Sequence, residues 1–229
     1  MPSSIASSRV LIRCKGILFD MDGVLISSLG SVERSWTKWA RMRGVDPVRA
    51  CQIAHGCRSI DTVARLRPEL DAETENRIIE NIEIEDTEGV TALPGVLKLL
   101  AALPESSWTV VTSATDPLAR VRLAAGGVPI PERIVTSETV SQGKPHPDPY
   151  LAGAALLGFA PAECVVFEDA PSGTRSARAA GCTVVATTFS HSIQSLADAH
   201  YLIPDLTAVE AARTPGNDDL VLKLTRIES

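Results

Sequence analysis

Residues 17–24 read Ile-Leu-Phe-Asp-Met-Asp-Gly-Val. Three apolar residues run without alternation and stop at Asp20; Asp22 and Gly23 follow at once. A short apolar run of this kind suits a strand buried on both faces, as in the middle of a parallel sheet. A glycine directly after it supplies a turn.

Working outward, the same pattern recurs. Trp108-Thr109-Val110-Val111 ends in Thr112-Ser113, and Cys164-Val165-Val166-Phe167 ends in Glu168-Asp169. Ile134-Val135 and Thr183-Val184-Val185-Ala186 are further short apolar runs. Helical patterns lie between them at 95–103, 117–125, 149–158 and 172–180. Proline opens and glycine closes several of these, as at Pro171 and Gly181. Strands alternating with helices predict a parallel α/β sheet. Residues 27–91 break the alternation, with no convincing strand and an amphipathic stretch over 32–43. They read as a separate helical insert after the first strand, and Pro94-Gly95 marks the return. The expected division is a core of 10–26 and 92–210, an insert of 27–91, a leader of 1–9 and a tail of 211–229.

Composition narrows the function classes. The chain has 229 residues, of which 45% are hydrophobic and 22% charged, ordinary proportions for a globular protein. A net charge of −6 argues against a global basic footprint for nucleic acid. No apolar run approaches the ~18 residues of a membrane helix, and the first residues lack a signal-peptide layout. Five cysteines, an odd number with no C-x-x-C pair, speak against a disulfide framework or structural zinc. They read as reduced thiols in a cytoplasmic protein. The expected partner is a small molecule, with no nucleic acid and no membrane; composition carries no reading of oligomeric state.

In open α/β sheets ligands bind beyond the carboxyl ends of the strands. The polar residues that end the apolar runs are therefore the candidates: Asp20 and Asp22, Ser113, and Glu168 with Asp169, joined by Lys144 from the loop Gly143-Lys144-Pro145. Each alone has an ordinary explanation, such as a helix cap or a turn former. Together they describe a site. Carboxylates brought to one place resist ionisation, and a divalent cation relieves them. Carboxylate and carbonyl oxygens suit Mg²⁺. Lys144 and the Ser113 hydroxyl are suited to the oxygens of a phosphate, and an aspartate is suited to attack its phosphorus. Asp20 and Asp22, two apart, point the same way if the strand stays extended, although a turn at Gly23 changes that direction.

These residues resemble the haloacid dehalogenase superfamily. DMDGV at 20–24 looks like its D-x-D-G-[TV] signature, and VVTSA at 110–114, GKPHPDPY at 143–150 and VVFEDAPSG at 165–173 resemble its other motifs, in order. The resemblance implies a Rossmann-like parallel-sheet core with an inserted helical cap domain. It implies Asp20 as nucleophile and metal ligand, and Asp22 as general acid/base that lends its backbone carbonyl to Mg²⁺. Ser113 and Lys144 then bind the transferring phosphoryl group, and Asp169 and Glu168 serve the metal. The insert carries a closer likeness. HGCRSID at 55–61 is similar to the H-G-x-R-[ST]-x-D stretch of glycerol-1-phosphatases, 2-deoxyglucose-6-phosphatases and sugar phosphatases. That makes His55, Arg58 and Asp61 candidates for substrate recognition, with a small sugar or polyol phosphate as the substrate. Trp36 and Trp39 fit the apolar face of the insert better than a stack on a substrate.

Two other readings compete. A β-phosphoglucomutase-like phosphomutase carries a histidine in the helix after the first motif, where the spacing from Asp20 places Val32 in this chain. A non-catalytic phosphoryl-metabolite-binding protein on the same fold loses a motif residue, and none is lost here. The dehalogenases of the superfamily lack the second aspartate, which Asp22 supplies.

Overall fold

The computed structural model describes residues 7–54, 57–214 and 219–227. In chain order the elements are β1 (Ser7–Cys14), β2 (Gly16–Phe19), β3 (Ile26–Ser27), α1 (Leu29–Arg43), α2 (Pro47–Ala54), α3 (Ser59–Leu66), α4 (Ala72–Glu85), β4 (Thr91–Ala92), α5 (Val96–Ala101), β5 (Trp108–Val110), α6 (Asp116–Ala125), α7 (Asp148–Leu157), β6 (Cys164–Glu168), α8 (Pro171–Ala179), β7 (Thr183–Thr187), β8 (Tyr201–Ile203), β9 (Val209–Arg213) and β10 (Leu220–Ile227). Strands β8, β7, β6, β2 and β5 lie side by side in that order, all parallel, so β2 is internal.

Both faces of this sheet are covered, which is why its strands do not alternate. Ile17, Phe19, Val165 and Phe167 pack on one face with Leu99 of α5 and Leu123 of α6. Leu18 and Val166 face the other way, against Tyr150 and Ala154 of α7 and Ala177 of α8. Phe19 stacks on Phe167 with ring centroids 5.2 Å apart. Of the expected strands, Ile134-Val135 contributes only a single bridge, from Val135 to Val111.

The two ends of the chain require a correction. Strand β1 begins at Ser7, so residues 7–9 belong to the sheet and not to a leader. Residues 211–213 complete β9, and β10 pairs along its whole length with β1, so 211–213 and 220–227 of the supposed tail are part of the sheet as well. Leu220, Leu222 and Leu224 of β10 are buried while Val221 and Lys223 between them are not. Such strands alternate because one face is left open.

Helices α1 to α4 enclose their own apolar cluster, with Trp36, Trp39, Ala50, Val63 and Ile79 at its centre. Trp39 donates its indole N–H to Glu75 at 2.9 Å, which satisfies a polar group that burial would otherwise strand. The chain enters and leaves this helical unit through the ribbon β3–β4, in which Ile26 pairs with Ala92 and Ser27 with Thr91.

Candidate active site

A parallel sheet puts every strand's carboxyl end on one edge, and the polar ends of β2, β5 and β6 meet there. Asp20 follows β2 directly, and its backbone N–H donates to Phe167 O of the neighbouring strand at 2.9 Å. The chain then turns sharply. Gly23 has φ +85°, and a Cβ there would stand 1.9 Å from Asp169 Oδ2. Glycine serves twice at this point, allowing the left-handed turn and letting the Asp169 carboxylate come in against the backbone.

Lys144 is the hub. It reaches in from the loop before α7, with only 7% of its surface exposed. Its ammonium donates to Asp20 Oδ1 at 2.5 Å, to Glu168 Oε1 at 2.7 Å and to Val111 O at 3.2 Å. Burial alone would lower its pKa; Asp20 and Glu168 outweigh that and hold it above its ordinary value, so the lysine is charged. Glu168 is fully engaged. Oε1 also accepts the Tyr150 hydroxyl at 2.7 Å, and Oε2 accepts the backbone N–H groups of Asp169 and Ala170 at 2.8 and 3.0 Å. Burial works to raise Glu168, and Lys144 with these donors keeps it below the usual carboxylate range instead. Glycine matters here too, since a Cβ on Gly173 would fall 1.6 Å from Glu168 Oε1.

Asp20 and Asp169 are in the opposite condition. Burial pushes Asp20 up to about 7 against the pull of Lys144, with Glu168 adding to the rise. Asp169 is raised by burial first and then by the charges of Glu168 and Asp20; the Ser190 hydroxyl donates to it. One oxygen each of Asp20, Glu168 and Asp169 lies within 4.8 Å of the other two. Three carboxylates thus share one ammonium in a buried place. The group fits a metal ion, because all its donors are carboxylate oxygens and a cation favours the charged forms that burial, and then mutual repulsion, disfavour in Asp20 and Asp169.

Asp22 lines the same pocket as Asp20 but is held from another side. The Ser28 hydroxyl donates to it. Arg122 of α6 places NH1 3.3 Å from each of its carboxylate oxygens. The other end of that guanidinium donates from NH2 to Glu83 Oε1 of α4 at 3.2 Å. Glu83 is raised, chiefly by burial.

Asp20, Asp22, Ser113, Lys144, Glu168 and Asp169 all line one pocket. The helical unit forms its far wall with Leu29, Val32 and Trp36. Trp36 is thus both a core residue of the helices and part of that wall. Arg58 and Asp61 stand elsewhere. Arg58 binds Asp61 through Nε at 2.7 Å and NH2 at 3.1 Å, and its NH1 reaches Ser141 O at 3.4 Å. A Cβ on Gly143 would meet Arg58 Nε at 2.7 Å, so the Arg58 side chain lies across the loop that carries Lys144. Arg58 and Ser113 line an adjoining polar cleft with Asn76, Arg77 and Glu80. His55 lies outside the described residues.

Sequence pattern alone does not single out Arg122, Glu83, Tyr150 or the pair Ser190 and His191. His191 lines the pocket, and its Nδ1 is 2.6 Å from Ser190 Oγ. A signal for Arg122 does exist. It occupies the buried stripe of α6 with Leu118, Ala119 and Leu123, and a charge on an apolar stripe demands a partner. Glu83 occupies the corresponding stripe of α4, beside Ile79 and Ile82.

Comparison with known proteins places this geometry in a family. The sequence profile of the haloacid dehalogenase-like hydrolases matches residues 17–187. Hexitol phosphatase A of Escherichia coli is 42% identical over 214 residues, covering 91% of this chain and 99% of that enzyme. Glycerol-1-phosphate phosphohydrolase 2 of Saccharomyces cerevisiae is 34% identical, over 78% of this chain and 77% of the relative. Among solved structures, a hydrolase from Pseudomonas syringae superposes with a TM-score of 0.76 at 26% identity, covering 85% of this chain and 94% of its own. Among the described residues no helix is long and apolar enough to cross a membrane.

Proposed function

This chain belongs to the haloacid dehalogenase-like hydrolases, and from that membership we propose that it hydrolyses small sugar or polyol phosphates through a phosphoaspartate on Asp20. It is a phosphoric monoester hydrolase, as its relatives are. The observation that carries the mechanism is the position of Asp20, 2.5 Å from the Lys144 ammonium at the foot of a pocket walled by the helical unit.

In the first step an Asp20 carboxylate oxygen bonds to phosphorus and the bond from phosphorus to the ester oxygen breaks. Asp22 gives its proton to that leaving oxygen. In the second step Asp22 takes a proton from water, the water oxygen bonds to phosphorus, and the acyl-phosphate bond opens to return Asp20 and release phosphate. Lys144 and Ser113 hold the phosphoryl oxygens and balance their charge. Mg²⁺, held by Asp20, Asp169 and the backbone carbonyl of Asp22, would supply further charge neutralisation at the phosphoryl group. Glu168, already accepting four hydrogen bonds, anchors Lys144 beside the ion.

The pocket wall excludes water and large leaving groups when the helical unit is closed. The hydroxyl-bearing part of the substrate is taken by the polar cleft beyond Ser113, where Arg58, Asn76 and Glu80 offer donors and acceptors. Arg58, held by Asp61, ties the helical unit to the Lys144 loop at the edge of that cleft. Val32 stands in the pocket wall where the mutase reading wants a histidine, which supports water as the phosphoryl acceptor. All five cysteines are free thiols, which supports a reducing compartment such as the cytoplasm.

The test is phosphate release from a panel of sugar, polyol, nucleotide and carboxylic-acid phosphates with Mg²⁺. Turnover of several sugar or polyol phosphates with modest preference among them is expected. A clear preference for nucleotides over every sugar and polyol phosphate overturns the substrate class, and no release from any substrate overturns the enzyme reading.

A further inference from the structure

We infer that Arg122 is the positioning residue for Asp22, and that the helical unit sets it through Glu83. The inference rests on Asp22 acting as the proton donor proposed above.

Arg122 is an expensive residue to keep where it is. It is 4% exposed on a helix face otherwise made of Leu118, Ala119 and Leu123. A methionine of similar length would fill that space without bringing a charge out of water. The guanidinium is therefore explained by what it touches. One nitrogen is 3.3 Å from both oxygens of Asp22, and another is 3.2 Å from Glu83 Oε1. Asp22 belongs to the turn after β2, and Glu83 belongs to α4 in the helical unit. Arg122 is thus a bridge with the acid/base residue on one side and the helical unit on the other.

The bridge is loose in a specific way. Its contacts are longer than the roughly 2.7–2.9 Å of a tight charge-assisted pair. Arg122 Nε and Glu83 Oε2 are both buried without a hydrogen-bond partner. A fork with a spare donor beside a carboxylate with a spare acceptor can shift its grip from Asp22 towards Glu83 and back. When the helical unit withdraws, Glu83 goes with it, and Arg122 is left with Asp22 alone. When it docks, Glu83 takes a share of the guanidinium and Asp22 is freed to turn towards the ester oxygen. Ser28, which donates to Asp22 Oδ1, sits between β3 and α1 and so belongs to the same moving junction. The direction of the acid is thereby tied to closure, and the proton is delivered only over a covered substrate.

The experiment measures single-turnover transfer to Asp20, with enzyme in excess, from two donors. One is glycerol-1-phosphate, whose leaving oxygen needs a proton. The other is 4-nitrophenyl phosphate, whose leaving group does not. Arg122→Met is expected to slow transfer from the polyol phosphate by about 10²-fold, the lower end of what a positioned acid contributes, and from the aryl phosphate by less than about threefold. Arg122→Lys should recover part of the loss, and substrate half-saturation should change little. Glu83→Gln should show the same selectivity at smaller size, about five- to tenfold. Should Arg122→Met not fold, the Lys and Gln variants carry the test, since both keep a polar group in place. Equal losses on both donors, or no loss on either, overturn the proposal and leave Arg122 as a strut between helices. An unselective Glu83→Gln removes the helical unit from it. Asp22→Asn in the same assay separates the two layers: if it too is unselective, the acid assignment falls, whereas selectivity there without selectivity at Arg122 defeats this inference alone.

Discussion

Glu168 Oε1 lies 2.7 Å from Lys144 Nζ, and both side chains are buried. This pair aims the ammonium at Asp20, because the Lys144 side chain crosses the site from a loop and needs a fixed counter-charge at its end. Glu168→Ala leaves the buried ammonium with Asp20 as its remaining counter-charge and unpairs the Tyr150 hydroxyl and the N–H groups of Asp169 and Ala170, and should destabilise the protein by about 3–5 kcal/mol. Glu168→Gln should keep more stability but lose most activity, since one amide face meets the N–H groups of Asp169 and Ala170 or the Lys144 ammonium with the wrong polarity. Urea unfolding and steady-state turnover check the two effects separately.

Asp20→Asn should abolish turnover and leave the fold intact. A neutral amide forms no acyl-phosphate, and Lys144 still has Glu168 as its counter-charge. Normal activity in the purified variant removes Asp20 as nucleophile.

Asp22→Asn should act on proton transfer and not on phosphoryl binding. Steady-state hydrolysis of sugar phosphates should fall by about 10²–10⁴-fold. Phosphoenzyme should still form from an activated aryl phosphate, seen as trapped acyl-phosphate by mass spectrometry. An unchanged rate across leaving groups excludes Asp22 from the mechanism.

Stability without metal should depend on pH through Asp20. Its folded pKa, raised from 3.8 to about 7, means the folded protein holds this proton more tightly than the unfolded chain. The stability so contributed is complete below the ordinary value and is lost as pH rises through about 7. A divalent cation offsets that loss by pairing with the carboxylate. Mg²⁺ should therefore raise Tm more at about pH 8 than at about pH 5.5, and chelator should abolish activity. Equal increments at the two pH values contradict the assignment.

Gly173→Ala should damage the site from a distance. Its Cβ falls 1.6 Å from Glu168 Oε1, so the carboxylate has to move and Lys144 moves with it. A cost of about 1–3 kcal/mol is expected from overpacking, with a clear loss of kcat. Gly44→Ala is the control. It has φ +64° and open space around its Cβ position, so it should cost about 1–2 kcal/mol with kcat unchanged.

The parallel sheet and its catalytic edge were legible because the signals are local. A run such as Ile17-Leu18-Phe19 is apolar at every position because both sheet faces are covered, and the residue that ends it stands at the sheet's edge whatever the rest of the chain does. Asp20, Ser113 and Glu168 with Asp169 could therefore be placed together from their strand ends, and Lys144 joined them from its loop as the cation suited to a phosphate oxygen. Strands β1 and β10 also hold short apolar runs, Val10-Leu11-Ile12 and Leu220-Val221-Leu222, but one face of each is open, so an apolar run there does not mean burial on both sides: Leu11 is exposed and Val221 only half-buried.

The partners of buried charges belong to the tertiary structure alone. Arg122 is 100 residues from Asp22 and 39 from Glu83, and nothing along the chain connects the three. A buried charge must be paired, so position on an apolar stripe announces that Arg122 and Glu83 need company. Which group answers depends on how α6, α4 and the turn after β2 are packed. Arg58 makes the same point from the other direction. The sequence marks its type and its likeness to substrate-binding stretches, whereas packing lays it on Asp61 and the Lys144 loop. Local pattern determines where a side chain lies on its own element; only the assembled elements decide what its charge meets.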